Sequence, residues 1–150
     1  MSRLGATTNK RINIYIEYGN RYSQAGTYHQ LGLVVQELRE YEQARSHYQQ
    51  ALDIYIEYSD CYSQASTHHQ LGTVAKALQD YQQAKAHYQQ ALETFVEFND
   101  NYNAVIALNS FNRLHQTTQD DSPLTEVAQC LNATVEEVTQ LFESLNGDRS

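Results

Sequence analysis

The feature that most limits what this chain can fold into is an internal copy. Residues 14–53 and 54–93 align without a gap, and 25 of the 40 positions are identical. Self-similarity at a fixed period of this length denotes stacked supersecondary units, none of which can bury its apolar face alone.

Each unit reads as two helices. The first is predicted over about residues 21–38, where Ala25, Tyr28, Leu31, Val34, Val35 and Leu38 recur at threes and fours as one buried stripe. Asn20, Asp60 and Asp100 stand at the same place ahead of this helix in successive units, where a short side-chain acceptor caps free backbone N–H groups. The joints Tyr18-Gly19-Asn20, Tyr58-Ser59-Asp60 and Phe98-Asn99-Asp100 are therefore expected to be one turn used three times. The second helix is predicted over about residues 41–57, with Ala44, Tyr48, Ala51 and Leu52 as its stripe and Ala84, Tyr88, Ala91 and Leu92 as the copy. Asp80 to Gln83 reads as a capping box, and Glu40 to Gln43 as a weaker version because Glu is a poorer cap. Gly32 and Gly72 each cost a helix interior about 1 kcal/mol against alanine. A cost paid twice at the same place implies close approach of a neighbouring helix.

The pattern Tyr28, Leu31-Gly32, Ala44, Tyr48, Ala51 and its copy His68, Leu71-Gly72, Ala84, Tyr88, Ala91 resembles the tetratricopeptide repeat signature. The period is similar to the forty-residue variety of kinesin light chain-like and cyanobacterial repeat proteins. The resemblance covers about residues 10–117. It implies an all-α, right-handed superhelix (an α-solenoid) of antiparallel helix pairs, whose first helices line an inner face that binds extended or helical peptides.

The array is expected to hold a partial unit at 10–20, full units at about 21–60 and 61–100, and a half unit at 101–117. Residues 1–9 are polar and expected to be flexible. In 10–20, the sequence Lys10-Arg11-Ile12-Asn13-Ile14-Tyr15-Ile16 matches the tail of a second helix, so Ile12, Tyr15 and Ile16 have an apolar side with nothing before them to cover it. The third unit keeps its first helix, with Val105, Leu108, Phe111 and Leu114, but the Ala-x-x-His-Tyr-Gln-Gln-Ala-Leu helix does not follow. Residues 118–150 read instead as a two-helix C-terminal cap. Ser122 and Pro123 are its first N-cap and N1, and a capping box from Thr134 to Glu137 opens a last helix closed by Gly147. Val127, Leu131, Val135, Val138, Leu141 and Phe142 are expected to cover the open end. This segment also resembles a short bacterial helix-turn-helix, but its second helix offers Glu136, Glu137 and Glu143 where phosphates and base edges call for basic or amide side chains.

The net charge of -8 is uneven: residues 1–60 hold six basic and seven acidic side chains, and residues 61–150 hold four and eleven. That balance argues against nucleic acid as a partner. The two cysteines, Cys61 and Cys130, have no metal-type spacing, and no apolar run reaches the roughly 18 residues of a membrane span. A cytoplasmic location and no membrane association are expected. The sequence has no phosphate loop or nucleophile elbow, so no enzyme, no catalytic residue, no cofactor and no metal site is predicted.

The inner-face register assigns peptide binding to His29, Gln30, Leu33, Gln36 and Glu37 in the first unit, to His69, Gln70, Thr73 and Lys76 in the second, and to Asn109, Arg113 and Gln116 in the third. The copies differ most here: Leu33 becomes Thr73, Gln36 becomes Lys76 and Glu37 becomes Ala77. Arrays that grip a terminal carboxylate carry Lys and Asn where this chain has His29 and Leu33, so that clamp is not implied. The six histidines include no His-x-x-x-His spacing, and the twelve tyrosines fall mostly into repeat pairs, as core and joint residues do. The expected function is a non-catalytic protein-interaction scaffold binding a protein or peptide in its concave groove. The alternatives are a module that self-associates through the uncovered N-terminal helix as a homo-oligomer, or the C-terminal sensor portion of a larger NTPase- or protease-linked repeat protein.

Overall fold

A computed structural model describes the backbone of residues 3–147 and the side chains of Glu17 and of residues 19–147. Among the described residues there are seven helices and no strand: α1 (Arg3–Glu37), α2 (Tyr41–Glu57), α3 (Cys61–Ala77), α4 (Tyr81–Glu97), α5 (Asn101–Thr118), α6 (Ser122–Leu131) and α7 (Val135–Gly147). Helices α2 and α4 start forty residues apart, as do α3 and α5. No helix among the described residues is long and apolar enough to cross a membrane.

Four joints share one construction. Arg39, Ser59, Gln79 and Asn99 each adopt positive φ, between 54° and 63°. The N–H of the following residue bonds back to the fifth residue before it, as in Glu40 to Val35 O and Asp60 to Tyr55 O, both at 2.9 Å. This is a Schellman closure, which consumes carbonyls the helix end would otherwise leave open. The closing residue then caps the next helix, since Asp60, Asp80 and Asp100 accept from the N–H of Ser63, Gln83 and Asn103. Glu40 makes no such bond, in line with its poorer capping geometry.

The first joint is a correction. Tyr18, Gly19 and Asn20 do not turn but lie inside α1, which begins at Arg3 and takes in residues expected to be a separate partial unit. As a result Leu31, Val34 and Leu38 are 42, 56 and 65 % exposed, whereas Leu71 and Val74 at the same repeat positions are 2 and 0 % exposed. The second unit's residues are covered by α2, where Ala44, Tyr48 and Leu52 form one cluster with them. The side chains of Ile12, Tyr15 and Ile16 lie outside the described residues.

The rest of the predicted core is present. Ala25, Ala51, Ile54 and Tyr55 join α1 to α2, and a larger cluster runs from Ala84, Tyr88, Leu92 and Phe95 through Leu108, Phe111 and Leu114 to Leu124, Val127, Val138 and Phe142. That cluster gives α6 a place the sequence reading missed. Lys85 reaches Glu126 at 3.8 Å and the Cys130 thiol reaches Glu93 at 3.9 Å, so α6 lies against α4 as well as α5 and stands in as a shortened second helix of the third pair. Its N-cap is Asp121, one residue earlier than expected. Ser122 bonds to Asp120 instead, through both its N–H and its hydroxyl. The Thr134–Glu137 box forms in both directions, at 2.8 and 3.1 Å. Helix α7 then runs through Gly147 without a left-handed closure, and Val105 and Val135, read as stripe residues, are exposed.

Within the first two pairs the close approach is that of a tyrosine ring to a glycine. A Cβ built on Gly32 would lie 2.5 Å from the Tyr48 ring, and one on Gly72 would lie 2.6 Å from Tyr88 and 3.2 Å from the Ala84 carbonyl. Both rings are buried, so they have little room to withdraw. Replacing a helical glycine by alanine gains about 1 kcal/mol of propensity, and overpacking a filled core costs typically about 1–3 kcal/mol. Gly72→Ala is therefore expected to lower the thermal midpoint measured by circular dichroism. Gly26→Ala, with nothing within 4 Å of its added Cβ, should raise it.

Candidate functional site

The first helices α1, α3 and α5 lie side by side, and a hollow of about 170 Å³ opens between them, lined by His29, Ser66, His69, Gln70, Phe95, Asn103 and Ile106. His29, His69 and Gln70 are thus brought together as the register implied. Ser66, Asn103 and Ile106 were missed. Positions 26, 66 and 106 are one helical turn before 29, 69 and 109 on the same face, a signal available from the spacing.

Polar bonds tie neighbouring first helices across this face. His29 Nδ1 lies 3.2 Å from Thr67 Oγ1, and His69 Nε2 lies 2.8 Å from Ser110 Oγ. Both hydroxyls already donate, Thr67 to the Ser63 carbonyl and Ser110 to the Ile106 carbonyl, so each imidazole must be the donor. Burial lowers the pKa of both rings, and the Arg113 charge adds to the effect at His69, so the neutral form persists further into acid. Tyr22 donates to Asp60, and Tyr62 donates to Asp100, tightening two of the capped joints.

Several of the predicted binding residues also serve the packing. The buried Tyr48 hydroxyl donates to Gln36 at 2.6 Å. In the second unit the matching residue is Lys76, which has no acceptor, and the Tyr88 hydroxyl donates instead to Thr73 at 3.3 Å. The paired changes Gln36 to Lys76 and Leu33 to Thr73 thus move an acceptor from one position to another. Leu33 itself packs against the α2–α3 cluster. Gln116 donates to Asn146 of α7 at 3.0 Å, and Asn112 shares that acceptor. Gln30 and Glu37 are exposed, and Asn109 is half-buried on α5.

Two cations of the first helices, Lys76 and Arg113, form no ion pair among the described residues. Lys76 is half-buried, and its pKa is lowered first by burial and then by the nearby Arg113.

A family model for the tetratricopeptide repeat matches residues 5–97. The chain belongs to the tetratricopeptide repeat family. Repeats of this family generally mediate protein–protein interaction, and the all-helical solenoid of helix pairs is the form such repeats take. No curated protein sequence gives a match. Within this tetratricopeptide array no group of three or more His, Cys, Asp or Glu side chains that could hold a metal is found among the described residues. The Cys130 thiol is pushed up to about 12 by burial and by Glu93 and Glu126, which keeps it protonated.

One titratable pair went unread in the sequence. His68 and His87 face each other between α3 and α4 with their Nδ1 atoms 3.0 Å apart, so one ring donates to the other. Burial, followed by the charge of His87, pushes His68 down to about 4, and burial lowers His87 as well. In the first unit Tyr28 stacks on His47 at the same place, with ring centroids 6.3 Å apart, and leaves His47 Nδ1 without a partner. A histidine with a depressed folded pKa binds its proton more readily when unfolded, so stability is complete above about 6.5 and falls as pH drops toward about 4. The depressed carboxylates Asp60, Asp100 and Glu137 act lower, because their ordinary values are 3.8 and 4.5. The unfolding midpoint should therefore drop between pH 7 and pH 4.5. His68→Tyr, which copies the first unit's pair, should make that drop shallower in a series of thermal melts.

Proposed function

We propose that this array is a non-catalytic scaffold whose inner face, formed by α1, α3 and α5, takes a segment of another protein that carries carboxylate side chains. The supporting observation is the pair Lys76 and Arg113: Lys76 is half-buried and feels the charge of Arg113, in a chain of net charge -8. Their mutual repulsion and the partial burial of Lys76 are both relieved by an anion placed between them. The hollow at His29, His69 and Gln70 adds neutral hydrogen-bonding groups and an apolar wall of Phe95 and Ile106, which suits a peptide backbone and one apolar side chain. Lys76 is available for this role because Thr73 has taken over the tyrosine hydroxyl.

The reading is tested by selecting peptides from a displayed random library against the chain and measuring their affinity by fluorescence anisotropy. Selected peptides should be rich in Asp and Glu. Lys76→Glu with Arg113→Glu should weaken them at least about ten-fold, the scale of losing about 1.4 kcal/mol, while the far-ultraviolet helical signal is unchanged. Peptides without acidic character, or affinities indifferent to this double substitution, would overturn the proposal.

A further inference from the structure

The exposed stripe Leu31, Val34 and Leu38 has a counterpart inside the same molecule. At the same positions of the next unit, Leu71 and Val74 are covered by α2, whose Ala44, Tyr48 and Leu52 form a cluster with them. The chain carries one more segment written like the end of α2. By the forty-residue register Ile12 stands where Leu52 does, Thr8 where Tyr48 does and Leu4 where Ala44 does. That segment does not fold back, because α1 is continuous from Arg3 to Glu37. At a rise of about 1.5 Å per residue, positions 12 and 31 of one helix are about 28 Å apart. The cover cannot reach its own face.

We propose that a second copy of this chain supplies it: residues 4–12 of each copy lie antiparallel along residues 31–38 of the other, in a two-fold swapped dimer. The pairing is self-consistent. Ala44, Tyr48 and Leu52 share one cluster with Leu71, Val74 and Leu78; matched in antiparallel order they translate to 12 with 31, 8 with 34 and 4 with 38, and the midpoints of these pairs are 21.5, 21 and 21. A single two-fold axis near Arg21 therefore places both segments at once, as an isologous interface requires. The hinge is visible too. Gly19 occupies the position at which Ser59 and Asn99 turn with positive φ, and it is the residue type best suited to turn there, yet it is helical here. Opening a tight joint into a straight helix is the step by which a chain exchanges an element with its copy.

The proposal is independent of the inner groove, since the stripe lies on residues that the groove reading does not use. Light scattering of the full chain at micromolar concentration should give twice the mass of one chain. In a Cys61→Ser, Cys130→Ala background, Ile12→Cys with Leu31→Cys should form disulfides that give a dimer on a non-reducing gel. Leu31→Asp with Val34→Asp should yield a monomer of undiminished helical signal, because both side chains are exposed in the single chain. A monomeric mass, an intrachain disulfide in a monomer, or a dimer that survives the aspartates would each overturn the proposal. Peptide binding through Lys76 and Arg113 is a separate readout and tests only the groove.

Discussion

Everything in this array depends on how closely the two helices of a pair approach, and that distance is set by a tyrosine ring lying on a glycine. Tyr48 over Gly32 and Tyr88 over Gly72 leave no space for a methyl group. The buried rings in turn need an acceptor for their hydroxyls. Gln36 supplies it in one pair and Thr73 in the other, and each choice fixes what the neighbouring inner-face position is free to be. A packing constraint thus reaches through one hydrogen bond to the inner face.

The helices, their caps and most of the core were legible because they rest on local chemistry and on a period. Asp60, Asp80 and Asp100 cap as their side chains predict, and Ala44, Tyr48, Ala84 and Tyr88 are buried as their spacing predicts. The joint at Gly19 was misread for a physical reason. A turn of this kind is held by the helix pair on either side of it, and before α1 there is no such pair among the described residues. Without it, helix continuation wins even through glycine. Helix α6 was missed as a second helix because it keeps the place of one without the sequence; Leu124, Val127 and Ala128 fill the gap beside α4 and α5 with a different pattern.

Part of the inner face also serves the packing. Divergence between two copies looks the same whether it tracks a ligand or relocates an internal acceptor, and only geometry separates Thr73, which serves Tyr88, from Lys76, which forms no ion pair among the described residues. His29 and His69 line one hollow, and their bonding to the next helix was invisible because the partners Thr67 and Ser110 lie about forty residues away. The pair His68–His87 was hidden in the same way, since its members belong to different helices of one unit.

The bonds from His29 to Thr67 and from His69 to Ser110 have a mechanical consequence. They span successive first helices, beside apolar clusters that also join the helices. Hydrogen bonds are short-ranged and directional, while apolar contact tolerates sliding. Separating α1 from α3, or α3 from α5, must therefore break a discrete bond as well as apolar contact, so the spacing of the first helices is held by geometry and not by burial alone.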